Sequence, residues 1–549
     1  MEQRSLPETP DIGGAFPRLT EDQIELLATC GTRRRTRRDE VLFSLGEPCP
    51  DLFVILAGKA ATLEDGKVVR VHGAGRFLGE LNLFTSQRSF ITIVVHEPGE
   101  VLVVPVERLR ELLSRHTALG DLILRACIIR RSLLLGFGSG FRIIGSRFSP
   151  DSRRLREFAA RNRLPHRWIE LEEDPGAEEL LHRAGVEPKQ TPVVVWGESV
   201  LRNPDNAELA RAIGLPAPEP DRTDVADMLV VGAGPAGLAA SVYGASEGLA
   251  TVLLDAVATG GQAGISPCIE NYLGFPAGIS GAELVERAIV QACKFGTEVG
   301  VPAEVSGLDK DDGYYLVRLR DGGTMVARSV IIATGARYRR LDVPHMAEYE
   351  GTCVFYAATA VEMAAARGVP TVVVGGGNSA GQAALSLAEL AERVTLLVRG
   401  GDLSANMSRY LVDQIERSER VDVRLCAEVR ELVADGGLNA IVVEDGRTGE
   451  RDLLPARALF VFIGAVPHTG WLPDQVALDA EGFIRTGREA GPGPGGRRPG
   501  HLETSLPGVF AAGDVRSGSI KRVASAVGEG AAAVQLVHRR LAAGPEPAD

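Results

Sequence analysis

The sequence predicts a multidomain protein: an N-terminal β-roll with helices, a compact α/β domain, and two further α/β domains built on parallel strands. Three observations carry this. A chain of 549 residues has room for three or four domains. Between Pro17 and Pro105, short β-branched runs alternate with glycine and charged turns, whereas strand–helix alternation fills the C-terminal part. Two apolar runs, Met228-Leu-Val-Val-Gly232-Ala-Gly234-Pro-Ala-Gly237 and Thr371-Val-Val-Val-Gly375-Gly-Gly377-Asn-Ser-Ala380, deliver small residues to a helix start. Such turns let backbone N–H groups approach a pyrophosphate, which makes the last two domains Rossmann-like nucleotide binders.

Composition bounds the rest. Hydrophobic residues at 45% and charged residues at 24% describe an ordinary globular protein, and a net charge of −12 argues against nucleic acid as a general partner. The basic run Arg33-Arg-Arg-Thr-Arg-Arg38 reads as a solvated edge strand. The 7 cysteines are scattered and nowhere spaced as CxxC, which fits a reducing cytoplasm and argues against a disulfide framework or a metal site. The N-terminus lacks the apolar core of a signal peptide, and Ser132–Gly145 is too short and glycine-rich to span a bilayer. The expectation is a soluble cytoplasmic protein without a membrane span.

Residues 1–16 read as a leader, 17–135 as the roll, and Val106–Leu135 as a helix with Leu109, Leu112, Leu113, Leu119, Leu122 and Ile123 on one side. The segments Asp39-Glu-Val-Leu-Phe-Ser-Leu-Gly46-Glu and Phe77-Leu-Gly79-Glu80-Leu-Asn-Leu-Phe-Thr-Ser-Gln-Arg88-Ser89 resemble a cyclic-nucleotide-binding domain. The resemblance implies that Glu80 accepts a ribose hydroxyl and Arg88 neutralises the cyclic phosphate of cAMP or cGMP, with Gly79 and Ser89 beside them. The spacing is slightly shorter than usual, and a docking module without ligand is the alternative. No winged-helix pattern follows.

Residues 140–215 read as a βαβ unit: strand Phe141–Gly145, helix Ser152–Asn162, strand His166–Leu171, helix Ala177–Arg183 and strand Pro192–Trp196. The stretch Ser149-Pro150-Asp151-Ser152 with Thr191-Pro192 resembles a glutaredoxin or thioredoxin fold, the proline pair matching its cis-proline turn. Ser149 and Ser152 stand at the two cysteine positions, and a hydroxyl has no two-electron redox cycle. This thioredoxin-like domain lacks CxxC. A linker around Pro216–Asp224 follows.

From Asp227 onward the chain resembles the low-molecular-weight thioredoxin reductases and their flavoprotein relatives. The motifs come in the family's order: the first glycine turn, Thr259-Gly-Gly261-Gln262, Glu270-Asn271-Tyr-Leu-Gly-Phe-Pro, Ala333-Thr334-Gly335, the second glycine turn, Phe462-Ile463-Gly464 and Gly508-Val-Phe-Ala-Ala-Gly513-Asp514. The resemblance implies an FAD domain in two parts, 226–341 and 466–543, split by an NAD(P) domain at 342–465. It places the FAD pyrophosphate at Gly232, Gly234, Pro235 and Ala236, and the adenosine ribose at Asp255. Gly261, Gln262, Asn271, Thr334 and Gly335 fall on the flavin side. Gly513 and Asp514 reach the ribityl chain, while Lys521, Arg522 and Val523 close over the isoalloxazine. Gly375, Gly377, Asn378, Ser379, Ala380, Ile463 and Gly464 hold the nicotinamide nucleotide. Arg399, in place of an acidic residue, supplies a positive charge where a 2′-phosphate lies, favouring NADPH over NADH. Arg409 is a candidate to reinforce it. Two short crossings between the domains read as hinges.

In thioredoxin reductases a CxxC precedes the second fingerprint. Here the stretch is Val354-Phe-Tyr-Ala357-Ala-Thr-Ala360, with alanine at both cysteine positions. Alanine can neither attack a disulfide nor resolve a mixed one. Cys353 and Cys268 are isolated thiols nearby. The reading is therefore an FAD-dependent NAD(P)H oxidoreductase with no catalytic side chain assigned. Its electrons reach a quinone, a ferredoxin-like protein or a similar acceptor, and dimers are common among the relatives. Two alternatives stay open: a disulfide reductase using non-CxxC thiols, and a redox or cyclic-nucleotide sensor with a binding output.

Overall fold

The computed structural model describes residues 7–48, 51–64, 66–79, 87–137, 140–174, 176–183, 185–187, 190–197, 199–215, 224–266, 269, 272–350, 352–356, 358, 360–434, 437–493 and 496–543. The chain forms two compact units. The first runs to Gly335 and resumes at Thr469–Asp479 and from Ile484, while the second comprises Ala336–His468 and Ala480–Phe483.

The first unit opens with helix α1 (Glu21–Ala28), started by a Thr20/Gln23 capping box. An antiparallel roll follows. Strands β1 (Thr32–Arg35), β6 (Thr92–Pro105), β3 (Asp51–Glu64) and β4 (Lys67–Gly73) lie in that order, with β2 (Val41–Phe43) on β6 and β5 (Phe77–Leu78) on β3. Arg33, Arg34 and Arg35 of the arginine run lie on the edge strand β1, as its charge suggested, and Arg34 pairs with Glu40. The single helix expected over Val106–Leu135 is instead two, α2 (Val106–Arg115) and α3 (Thr117–Phe137). His116, at φ −121° and ψ 76°, leaves the helical region between them.

Four strands form the next sheet in the order β10 (Ser199–Arg202), β9 (Val193–Trp196), β7 (Phe141–Gly145), β8 (His166–Glu170). Strands β7 and β8 are parallel, β7 and β9 antiparallel. Helix α4 (Pro150–Arg161) begins two residues before the expected Ser152. Ser149 caps it by accepting from the Ser152 N–H, and proline suits the first helical position. Helices α5 (Ala177–Arg183) and α6 (Asn206–Ile213) complete this domain, and the Thr191–Pro192 bond is cis.

The rest of the first unit is a sheet ordered β13 (Glu298–Gly300), β12 (Thr251–Leu254), β11 (Ala226–Val231), β16 (Thr324–Ile332), β15 (Tyr314–Leu319), β14 (Val305–Asp311). The late strand Val509–Ala511 returns parallel to β16. Helices α7 (Pro235–Ser246), α8 (Gly281–Lys294) and the C-terminal Val523–Ala542 accompany it. Near the end of this unit, the buried carboxylate of Glu503 accepts from the Gly500 and Gly508 N–H groups and pairs with Arg497.

In the second unit, β17 (Ala336–Tyr338) pairs with β26 (Ala465–Pro467). A parallel sheet runs β18 (Val354–Phe355), β25 (Ala458–Val461), β19 (Pro370–Val374), β20 (Arg393–Val398), β21 (Val421–Leu425), and β22 (Ala427–Ala434), β23 (Leu438–Asp445) and β24 (Arg451–Pro455) form a separate antiparallel sheet. Helices α9 (Met346–Tyr349), α10 (Ala360–Ala364), α11 (Asn378–Ala388) and α12 (Arg409–Arg417) connect them.

Candidate nucleotide-binding sites

The first glycine turn lies where β11 ends among parallel neighbours, buried along Met228–Val231. Gly232 sits at φ +105°, and a Cβ there would come within 2.3 Å of the Ala333 carbonyl oxygen. A side chain is excluded on both counts. Gly234 is the N-cap of α7 with no side chain on the helix start, so the first-turn N–H groups face outward with the positive end of the helix dipole. Pro235 and Ala236 open that helix. Gly261 packs against Gly234, Gln262 heads the 3-10 turn Ala263–Ile265, and Gly335 follows Thr334 at φ +65°.

Asp255 ends β12, where the sequence placed it, but its carboxylate is already engaged. It accepts from the N–H groups of Ala233 (2.9 Å), Val257 (3.0 Å) and Ala258 (3.1 Å), clamping the glycine turn to the next loop. Asn271 lies outside the described residues.

Opposite this turn, Gly513 precedes the partly buried Asp514. Burial raises the Asp514 carboxyl above the usual range, opposed by Lys521 and reinforced by the negative charge of Glu529. Glu529 was not anticipated. From the C-terminal helix it accepts from the Gly513 N–H at 2.7 Å and pairs with Arg516 at 2.5 Å. Its signal in sequence was a lone acid within Ala-Val-Gly-Glu-Gly-Ala-Ala. Lys521 and Arg522 are exposed beside it, with Arg522 the N-cap before Val523.

The second turn repeats the geometry within its own unit. Gly375 sits at φ +148°, and a Cβ there would lie 2.4 Å from the Phe462 carbonyl oxygen. Gly377 is the N-cap of α11, again without a capping side chain. Asn378 braces the turn, its amide oxygen accepting from the Ser408 N–H at 2.7 Å, and Ser379 and the buried Ala380 continue the helix. Ile463 packs partly into the core and Gly464 follows at φ +95°. Arg399 is exposed just past β20 and makes no ion pair among the described residues. Arg409 pairs with Asp413 at 2.8 Å on the exposed side of α12.

Of the two alanines at the relay positions, Ala357 lies outside the described residues and Ala360 begins α10. Next to them Tyr356 stacks on Tyr338 and donates to Glu350 at 2.6 Å. Cys353 is free and partly buried; Cys268 lies outside the described residues. In the middle domain Ser149 is a helix cap, while Ser152 is 1% exposed and its Oγ lacks a partner among the described residues.

In the roll, Glu80 lies outside the described residues. Arg88 does not face the interior. Its Nη1 donates to the Gly46 carbonyl at 3.0 Å, and its stem lies against Gly214 of the middle domain. Ser89 is buried and bonds to the Ile91 carbonyl at 2.8 Å. The space inside the roll is small, about 30 Å³, and Gly79, Phe16, Phe77, His72 and Arg130 line it. Among the described residues no helix is long and apolar enough to cross a membrane, and no cluster of His, Cys, Asp or Glu is arranged for a metal.

Two sheets with parallel cores, each with a bare helix N-terminus behind a glycine turn, define a protein with two dinucleotide-binding folds. The comparisons agree. The profile of the pyridine nucleotide-disulphide oxidoreductase family matches residues 226–530, and that of the cyclic nucleotide-binding domain matches residues 33–116. The chain belongs to the pyridine nucleotide-disulphide oxidoreductase family. It is 34% identical over 307 residues to a thioredoxin reductase of Treponema pallidum, covering 56% of this chain and 94% of that protein. It is 32% identical over 315 residues to a 34.2 kDa protein in the rubredoxin operon of Clostridium pasteurianum, covering 57% of this chain and 97% of that one. The solved thioredoxin reductase of Streptococcus pyogenes is similar over 59% of this chain and 100% of its own, with a TM-score of 0.50 and 32% identity. The protein is thus an FAD-dependent pyridine nucleotide oxidoreductase, thioredoxin-reductase-like, with a cyclic-nucleotide-binding domain at its N-terminus.

Proposed function

We propose that this enzyme takes reducing equivalents from NADPH and passes them from its flavin directly to a non-thiol acceptor, a quinone or a ferredoxin-like protein. The observation that carries the reading is the loss of both thiol relays, with alanine at 357 and 360 and serine at 149 and 152. The relative from a rubredoxin operon supports a small electron-transfer protein as acceptor.

FAD, when bound, supplies acceptance of a hydride and release of electrons. The residues present fit it, since the turn at Gly232 is a cradle that a Cβ would fill and α7 presents bare N–H groups. Gly232, Gly234, Pro235 and Ala236 would hold its pyrophosphate. Gly261, Gln262, Asn271, Thr334, Gly335, Gly513, Asp514, Lys521, Arg522 and Val523 would orient the rest. Asp255 acts mainly as the clamp of that loop, with lone pairs left for a ribose hydroxyl. Gly375, Gly377, Asn378, Ser379, Ala380, Ile463 and Gly464 would seat the nicotinamide nucleotide, and Arg399 its 2′-phosphate. The match of residues 33–116 to the cyclic nucleotide-binding domain supports regulation of this turnover by a cyclic nucleotide.

Anaerobic titration with NADPH and NADH, followed by an acceptor panel of ferricyanide, a quinone and thioredoxin, tests the reading. Flavin reduction favouring NADPH and fast ferricyanide or quinone turnover are expected, without thioredoxin reduction. Thioredoxin reduction abolished by Cys353→Ser would replace this reading with a thiol route. Arg399→Ala is expected to lower kcat/KM for NADPH about tenfold, roughly 1.4 kcal/mol, and to leave NADH unchanged.

A further inference from the structure

Helix α3 carries two consecutive arginines that point to different places. Arg130 is 8% exposed and enters the roll. Its guanidinium donates to the carbonyls of Ala15 (2.7 Å), Gly79 (2.8 Å) and Phe77 (3.1 Å), and it lies over the rings of Phe77 and Phe16. With Arg130 so placed, the interior has room for about one water. A ligand that enters must displace Arg130 or draw it onto itself. The lining favours a flat anion, since Arg70 and Arg130 supply charge, phenylalanine rings supply stacking surface, and the buried His72 leaves Nδ1 without a partner among the described residues.

Arg131, 3% exposed, points the other way. It donates to Gln87 Oε1 at 3.2 Å and to the Arg163 carbonyl at 3.5 Å. Arg163 pairs at 2.9 Å with Glu286, a residue of α8 only 4% exposed. These side chains line a cavity of about 340 Å³ that also touches Thr259 and Gly261, so Arg131 has room to move. Apolar packing follows the same path. Val290 and Ile289 of α8 belong to the core that Ile123, Ala126 and Cys127 of α3 share with the roll. At its other end α8 packs Val285 onto Gly260, and the Gly281 N–H donates to the Ser266 carbonyl at 2.9 Å.

We propose that Arg130 and Arg131 form one transmission device, in which displacement of Arg130 by an anion in the roll moves Arg131 and, through Arg163, Glu286 and α8, the 259–266 loop of the flavin half. The physical warrant is a continuous packed path whose first element cannot stay in place when the roll fills. The identity of the anion as a cyclic nucleotide rests on the functional reading above; the transmission does not.

The test uses the full-length flavin-loaded protein, with amide hydrogen exchange across 259–266 and Gly281–Lys294, NADPH–ferricyanide turnover, and calorimetric binding of cAMP and cGMP. Without nucleotide, Arg130→Leu is expected to raise exchange in both segments ~5-fold or more and to shift turnover at least ~3-fold. Adding Arg131→Met should confine the exchange change to the roll. Arg130→Lys, which keeps the charge but cannot span three carbonyls, serves if the leucine variant does not fold. Looser exchange in the roll with wild-type exchange in Gly281–Lys294 and wild-type turnover overturns the transmission. Intact transmission with no cAMP or cGMP binding to wild type or variant supports the device and removes the cyclic-nucleotide reading.

Discussion

Gly232 leaves no room for a side chain at the first glycine turn. At φ +105° and with the Ala333 oxygen 2.3 Å from a would-be Cβ, alanine would meet both strain and collision. Gly232→Ala is therefore expected to lose most bound flavin, read as absorbance near 450 nm per mole of purified protein, and to unfold ~2 kcal/mol more easily. His72 sets a pH response of a different kind. Burial, then Arg130, Arg76 and Arg70, depress its ring to about 3. The unfolded chain takes up that proton below about pH 6.5 while the folded protein does not. Its contribution is thus complete above 6.5 and is lost as the pH falls, by about 1.4 kcal/mol per unit. Urea unfolding at pH 7.5 and 5.5 should show this loss, and His72→Gln, which keeps a partner for Thr62, should flatten it. The glycine turns were legible because their chemistry is local: small residues at fixed spacing after an apolar strand. Glu529 and Arg130 were not, because each acts on backbone groups far along the chain, Glu529 on Gly513 and Arg130 on Ala15, Phe77 and Gly79.

Among the elements, the C-terminal helix seats closely on α7. A Cβ on Gly530 would lie 2.1 Å from the Ala236 carbonyl oxygen. Gly530→Leu would push apart the two helices that carry Ala236 and Glu529, and is expected to lower the urea midpoint by the equivalent of ~3 kcal/mol together with flavin content. Helix boundaries were less legible than helix identities. The apolar stripe of Val106–Leu135 is continuous, yet His116 divides it, a backbone choice that side-chain periodicity does not report. Conversely, Ser149-Pro150 marks the start of α4 by the usual capping chemistry, two residues before the apolar periodicity begins to show it. Arg88 shows a third limit. Its motif position identified the module, whereas its hydrogen bond is set by Gly46 and its packing by Gly214 of another domain.

On the scale of the molecule, the roll, the middle domain and the flavin half share one compact unit, while Ala336–His468 belongs to the second. Calorimetry of the cofactor-free protein is expected to resolve two transitions. NADP⁺ at a hundredfold excess over its Kd should stabilise the smaller by about 2.7 kcal/mol and leave the larger in place. A single transition shifted as a whole would show the units to be thermally inseparable. The serines of the middle domain have a consequence for the cell's redox economy. Residues 140–215 contain no cysteine, Ser149 is occupied as a helix cap and Ser152 is sealed in the interior, so the domain that lies in sequence between the roll and the flavin half carries no thiol. A disulfide that meets that domain finds no sulfur there to exchange with.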